Sequence, residues 1–305
     1  MKASKTQVIG KKHRQFNSDD MLELVLTIVL GAVGILFAFP LLNVLASSFS
    51  SVEAVMSGKV VAWPVEFNLE GYKAVFRTND VWIGYRNSLF YMIFGTIINL
   101  VMTMLAAYPL SRSDMPGQGP IMMLFTFTMI FGGGMIPSYI LIKDLGMLNT
   151  IWAMVIPGAI GIHNMIITRT FISSSIPKEM LEAAQIDGCS DFQYFLRMVL
   201  PLSGSVMAVI TLYYAVGHWN AYMNAFMYLT DEQLYPLQIF LRNILVSNQV
   251  SADLMVDEFG QMQNFGLAEL LKFSLIVVAA LPVMLMYPIV QKHFVKGVMI
   301  GAVKG

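Results

Sequence analysis

Six stretches of this chain run long enough with almost no charge to cross a bilayer, and nothing constrains its fold more. They are Leu24–Glu53, Asn87–Ser111, Met115–Ile142, Leu145–Thr168, Met198–Leu229, and Phe273–Val290 with its helix starting near Leu267. A hydrocarbon core needs roughly 20 apolar residues of helix to span it. Backbone N–H and C=O groups inside lipid must be satisfied within the segment, which makes such runs helices. The expectation is an all-α membrane protein with six transmembrane helices. Composition points the same way, with 56% hydrophobic and 12% charged residues among 305. A soluble domain carries about 25% charged residues.

Lys and Arg placement sets the orientation. With the N-terminus inside, the inner segments hold Lys2, Lys5, Lys11, Lys12 and Arg14, then Arg112, Arg169, Lys178 and Arg197, then Lys292, Lys296 and Lys304. The outer segments hold half as many: Lys59, Lys73, Arg77, Arg86, Lys143 and Arg242. Lys272 lies at the outer end of the sixth span. Both termini are expected in the cytoplasm. The first span is too long for a signal-peptide core, and a polar segment of about 20 residues precedes it. The chain divides into an N-terminal tail (1–20), a membrane domain (21–290) and a C-terminal tail (291–305).

Two outer loops are long, Ser47–Arg86 and the acidic Thr230–Gly266. Gly132-Gly133-Gly134 and Pro137 fall inside the third span and are expected to break or bend it. Irregular backbone at that depth needs a partner or a wet cavity around it. The single cysteine, Cys189, excludes an internal disulfide and a Cys-based metal site. The formal net charge of zero gives no footprint for a nucleic-acid partner.

The polar inner segment 172–203 is the most informative loop. Pro177 suits the first turn of a helix, where its missing N–H was unpaired anyway. Gly188 suits the left-handed residue that ends one. Ser190-Asp191-Phe192-Gln193 has the form of a capping box opening a second helix, which runs toward Pro201. Two short helices at an angle are expected, with small Ala183 and Ala184 allowing close approach to another surface. Glu182 and Asp187 supply charge for that contact.

Glu182-Ala183-Ala184, then Gly188, Met198, Leu200 and Pro201 reproduce the spacing EAA, three residues, Gly, nine residues, Ile, one residue, Leu-Pro, with Met in place of Ile. In this the chain resembles the permease subunits of bacterial ABC importers. Trp219-Asn220 followed by Ala225-Phe226, Tyr235-Pro236-Leu237, and the ending Gln291 to Gly305 resemble the carbohydrate-importing class, and within it the polysaccharide permeases associated with lipoproteins. The resemblance covers nearly the whole chain. It implies a type I importer permease fold with a cytoplasmic coupling helix, in a bacterial plasma membrane. It implies a second homologous permease as partner in a heterodimer, two ATP-binding subunits, an extracellular sugar-binding lipoprotein and a carbohydrate substrate. ATP and Mg would be bound by the partner subunits and no cofactor by this chain. Glu182, Ala183, Ala184, Asp187 and Gly188 would couple to the ATPase. Gly301, Ala302, Val303, Lys304 and Gly305 would form a flexible tail contacting it.

His163 and His218 lie at membrane depth beside Asn164, Trp219 and Asn220. Ionisable groups there are candidates for the substrate path. Interhelical hydrogen bonding is the commoner use of such residues. A secondary transporter or channel would want buried carboxylates, and the spans hold none beyond Glu23 and Glu269 near their ends. A membrane enzyme is no better supported, because His13, His163, His218 and His293 sit in separate segments with no H-E-x-x-H. There is no G-x-x-x-x-G-K-[ST] either, so any ATP must be hydrolysed by another chain.

Overall fold

The computed structural model describes residues 18–254 and 260–302. Every regular element among them is helical. The basic N-terminal tail, Asp257 and Glu258 of the acidic loop, and Val303, Lys304 and Gly305 lie outside the described residues.

Helix α1 (Ser18–Ser48) is exposed along nearly all its length. Its apolar surface packs on α15 (Gly260–Ala302) near one end, leaving the remainder for lipid or another protein. The connection that follows is folded. It forms α2 (Val52–Met56), begun by Ser51 as N-cap, and α3 (Glu70–Arg77), both packed on α15. Phe49 lies 4.9 Å from the Tyr72 ring, and Ser48 Oγ is 2.8 Å from the Tyr72 hydroxyl. Gly71 lets α3 press on α15, since a Cβ there would sit 2.9 Å from Leu270 O. This stretch is therefore a folded cap on the bundle.

Helix α4 (Asn79–Ser111) is the central post, starting eight residues before the expected span. It packs against α7 (Ile151–Val155), α8 (Ile162–Ser175), α12 (Gly204–Trp219) and α14 (Leu237–Leu254). The glycine run breaks the third span as expected. Helices α5 (Gln118–Ile130) and α6 (Met135–Asp144) meet at 115°, with Gly134 at φ +83° between them. Neither packs deeply: α5 buries no residue and α6 only Ile142.

The fourth and fifth spans differ from expectation. Residues 145–168 give α7 and α8 separated by an unwound segment, 156–161. The fifth begins at Gly204, because α10 (Asp191–Tyr194), a π turn and α11 (Leu200–Leu202) lie at 78° to α12. Three uninterrupted helices are long and apolar enough to span, and the two bent pairs raise the number to five at most among the described residues. The six-span count is thus not reached by length and composition. After α13 (Tyr222–Tyr228) the acidic segment continues as α14, where a loop was expected. The C-terminal segment is likewise helical through Ala302, so Gly297 and Gly301 do not break it.

Candidate functional site

Helix α9 (Lys178–Ile186) forms the knuckle. Pro177 precedes its first residue at φ −62°. At its end Gly188 takes φ +78°. Gly188 N–H donates to Gln185 O at 3.0 Å and Cys189 N–H to Ala184 O at 2.9 Å, the paired bonds of a Schellman motif. Ala184 is buried, with Cys189 partly buried in the same apolar cluster, which supplies the hydrophobic contact usual in that motif. The lone thiol is therefore a packing group. One turn later the capping box forms as expected: Ser190 Oγ accepts from Gln193 N–H at 3.3 Å, and Gln193 Oε1 accepts from Ser190 N–H at 3.2 Å. Pro201 has no N–H to give, and the helix before it widens into a π turn over Phe195–Val199, with Leu200 N–H bonded back to Phe195 O.

These caps fix which face is free. Ala184, Tyr194, Phe195 and Val199 pack on Met104, Ala107 and Leu110 of α4 and on Met165 and Ile172 of α8. Glu182, Ala183, Asp187 and Gly188 are exposed. Ala184 thus holds the knuckle to the bundle and does not face outward with Ala183. Ile186, 87% exposed, was not singled out from the sequence. The signal was available: two residues along a helix is a turn of about 200°, so a residue two past the buried Ala184 points outward.

Beneath the knuckle is a cavity of about 300 Å³ bounded by Tyr108, Arg112, Ser173, Lys178, Glu182 and Gln185, among others. Arg112 forms one wall. It is the residue just past α4, and its side chain is only 16% exposed. Its Nη1 lies 2.5 Å from Asp191 Oδ1 in the first turn of α10, and its Nε donates to Asp114 Oδ1 at 2.9 Å. A second bond joins Arg112 Nη2 to Asp114 Oδ2. The guanidinium holds the Asp114 carboxyl down to about 2, and hydrogen bonds to Asp114 and Asp191 raise the Arg112 pKa further. Asp114 is depressed, so its contribution would be present above its unfolded value near 4 and lost only as pH falls through about 2. Acidification from pH 8 to pH 5 is expected to leave the Arg112–Asp114 pair intact, which an Asp114 side-chain carboxyl resonance unmoved over that range would report.

A second constellation lies further along α4. The break between α7 and α8 frees backbone groups, and side chains from neighbouring helices satisfy them. Asn99 Nδ2 donates to Gly158 O, and Gly161 N–H donates to the Tyr214 hydroxyl at 3.0 Å. Tyr214 OH is 2.7 Å from Thr103 Oγ1, and Asn99 Oδ1 is 2.6 Å from His218 Nε2. Gly95 makes room for this histidine, since a Cβ there would come within 2.5 Å of its Cε1.

The expected substrate-path residues therefore separate. His218 is tied to Asn99 between helices. Trp219 is 1% exposed and donates its indole N–H to Ala279 O at 2.9 Å, so no ring face is open to a sugar in this conformation. His163 is exposed on α8, Asn164 is half-buried, and Asn220 is exposed while donating to Val216 O of its own helix. In the tail, Gly301 and Ala302 close the last turn of α15. Among the described residues, no group of three His, Cys, Asp or Glu side chains is disposed to hold a metal ion.

Among the described residues, an all-helical membrane domain with broken spans and a capped, projecting knuckle has the architecture of a transport permease. Residues 81–300 match the family described as binding-protein-dependent transport system inner membrane component, and the chain belongs to that family. It is 41% identical over 271 residues to the polygalacturonan/rhamnogalacturonan transport system permease protein YtcP of Bacillus subtilis, covering 87% of this chain and 92% of that one. It is 39% identical over 277 residues to Protein LplC of the same organism, covering 90% and 92%. A chain in the crystal structure of a bacterial ABC transporter involved in import of the acidic polysaccharide alginate superposes with a TM-score of 0.81 at 31% identity, covering 95% of this chain and all of that one. The fold is that of the type I importer permeases.

Proposed function

We propose that this chain is a membrane-spanning subunit of an ATP-driven importer of acidic oligosaccharides. It shares the translocation path with a second, homologous permease and takes its energy from two separate ATP-binding subunits. An extracellular sugar-binding lipoprotein delivers the substrate. The observation that carries this reading is the knuckle: Glu182, Ala183, Ile186 and Asp187 stand free on a helix whose other face is locked to α4 and α8. Chemically, that is a surface for a protein partner with no ligand of its own to bind. Relatives named for polygalacturonan/rhamnogalacturonan and for alginate support an acidic glycan as cargo. Binding of a panel of charged and neutral oligosaccharides by the cognate lipoprotein tests this. Preference for neutral sugars would overturn the acidic assignment.

The Lys and Arg bias supports a cytoplasmic knuckle. In intact cells, an impermeant thiol reagent is expected to leave Cys189 unlabelled and to label a cysteine placed at exposed Glu232 in a Cys189→Ser background. Labelling of Cys189 alone would reverse the orientation. Along the path, His163 is the best-placed side chain for sugar, being exposed on α8. His163→Ala is expected to change the order of preference among imported glycans without loss of assembled complex. Equal loss for all of them would remove it from the path. The tail residues Gly301, Ala302, Val303, Lys304 and Gly305 are assigned a contact with the ATPase pair, tested by their deletion.

A further inference from the structure

The foot of α4 is tied to the elements on both sides of the knuckle, to α8 through Arg169 and to α10 through Asp191. Arg169 of α8, which leads into the knuckle, donates Nε–H to Leu110 O at 3.0 Å. Gln118 of α5 donates to the same carbonyl at 2.7 Å. Arg112, at the end of α4 itself, reaches Asp191 of α10, which leads out of the knuckle. The knuckle is thus held at entry and exit to one point. Arg112 can do this because a guanidinium has a rigid fork of donors and can hold two carboxylates at once, Asp114 and Asp191. A Lys ammonium is a single point charge and could not span both in this way. Tyr108 lies tilted against the exit segment, its ring centre 5.2 Å from that of Phe195, with the Arg112 guanidinium carbon 6.0 Å from the Tyr108 ring centre.

We infer that the Arg112–Asp191 pair is the positioning link that makes α4 move with the knuckle. Without it the exit side of the knuckle would be held to α4 only by the apolar packing of Tyr194, Phe195 and Val199, which is non-directional and lets the surfaces slide. The cavity beneath α9 then gives it room to rotate against α4 when pushed. With it, displacement of α9 is delivered to α4, and through Asn99 and Thr103 to the broken span and to α12. Asp191 sits one residue after the capping serine, so the capping box and the ion pair fix the same turn to the same post. This inference rests on the reading of α9 as the ATPase-coupling element.

The test uses the full complex, with both permeases and ATPases, in liposomes supplied with the binding protein. The variants are Arg112→Gln, Asp191→Asn, the double variant, Arg112→Lys, and Glu182→Lys as a separate control for docking. The ATPase is expected to co-purify normally with the Arg112 and Asp191 variants. Sugar imported per ATP hydrolysed is expected to fall about fivefold or more in each single variant. The double variant is expected to fall no further than the singles, because one link can be cut only once. Arg112→Lys is expected to fall between wild type and Arg112→Gln. Unchanged import per ATP in the single variants overturns the link and leaves docking at α9 standing. Additive losses in the double variant, or loss of the ATPase from the Arg112 variants, also overturn it. If instead Glu182→Lys keeps its ATPase and its import, the coupling role of α9 fails.

Discussion

Glu182→Lys is expected to strip the ATPase from the complex, and Gly188→Val to leave it bound but idle. Glu182 stands exposed on the free face of α9. Reversing a charge that a partner desolvates costs at least about 2 kcal/mol, roughly thirtyfold in affinity. Gly188 acts through the backbone. It sits at φ +78° with nothing within 4 Å of where a Cβ would lie. Crowding is therefore no issue, and the whole penalty is conformational, about 1–2 kcal/mol for an ordinary side chain and more for a β-branched one. A substitution series separates the two causes. Gly188→Asn is expected to stay near wild type because Asn tolerates the left-handed region. Gly188→Ala should be intermediate and Gly188→Val worst. The measurements are ATPase co-purification and hydrolysis stimulated by the binding protein. A flat response across the series, with Glu182→Lys at wild-type values, would remove the coupling role from this loop.

Asn99→Leu is expected to be the most damaging single change within the membrane domain. Asn99 is fully buried and serves the unwound stretch and α12 at once, through Gly158 O and His218. A buried polar group left without a partner costs about 1–3 kcal/mol, and here a freed carbonyl and an imidazole are stranded together. Average interhelical hydrogen bonds in membranes are worth less, about 0.6 kcal/mol. That average includes groups able to find another partner, whereas Gly158 O lies in unwound backbone with no helical donor of its own. Gly95→Val is expected to reach the same end by pushing the histidine ring out of place. The yield of monodisperse complex after brief heating should drop for both and stay unchanged for His163→Ala. Wild-type yields for Asn99→Leu and Gly95→Val would show that the network carries little of the fold's stability.

Much of the loop chemistry was readable from the sequence because it is local. Gly132-Gly133-Gly134 broke the third span, Gly188 took its left-handed turn, and Ser190 and Gln193 capped each other. These features depend on residues within a few positions of one another. The unwinding at 156–161 was harder to read, since its freed groups are satisfied by Asn99 and Tyr214 from distant helices. Facing was harder still. A membrane helix apolar on all sides gives no periodic stripe to mark its buried side, so the burial of Trp219 was not evident, whereas on α9 the apolar row of Met180, Leu181 and Ala184 does mark the inward face. Arg112 entered the reading only as a positive charge, because its partner Asp191 is 79 residues away.

The unwound stretch in the fourth span also bears on how the chain is made. A translocon judges residues 145–168 by hydrophobicity as they emerge, and that run carries no Asp, Glu, Lys or Arg. Its final shape needs Tyr214, 53 residues further on, to hold Gly161. Asn99 is already in place by then, but its other partner, His218, is 119 residues later than itself. Until α12 enters the bilayer, the unwound stretch has its bond from Asn99 but lacks the one to Tyr214. The bonds that hold the break are thus completed late in biosynthesis, only when the fifth span arrives, and chains stalled before residue 214 are expected to carry a fourth span that is still poorly inserted.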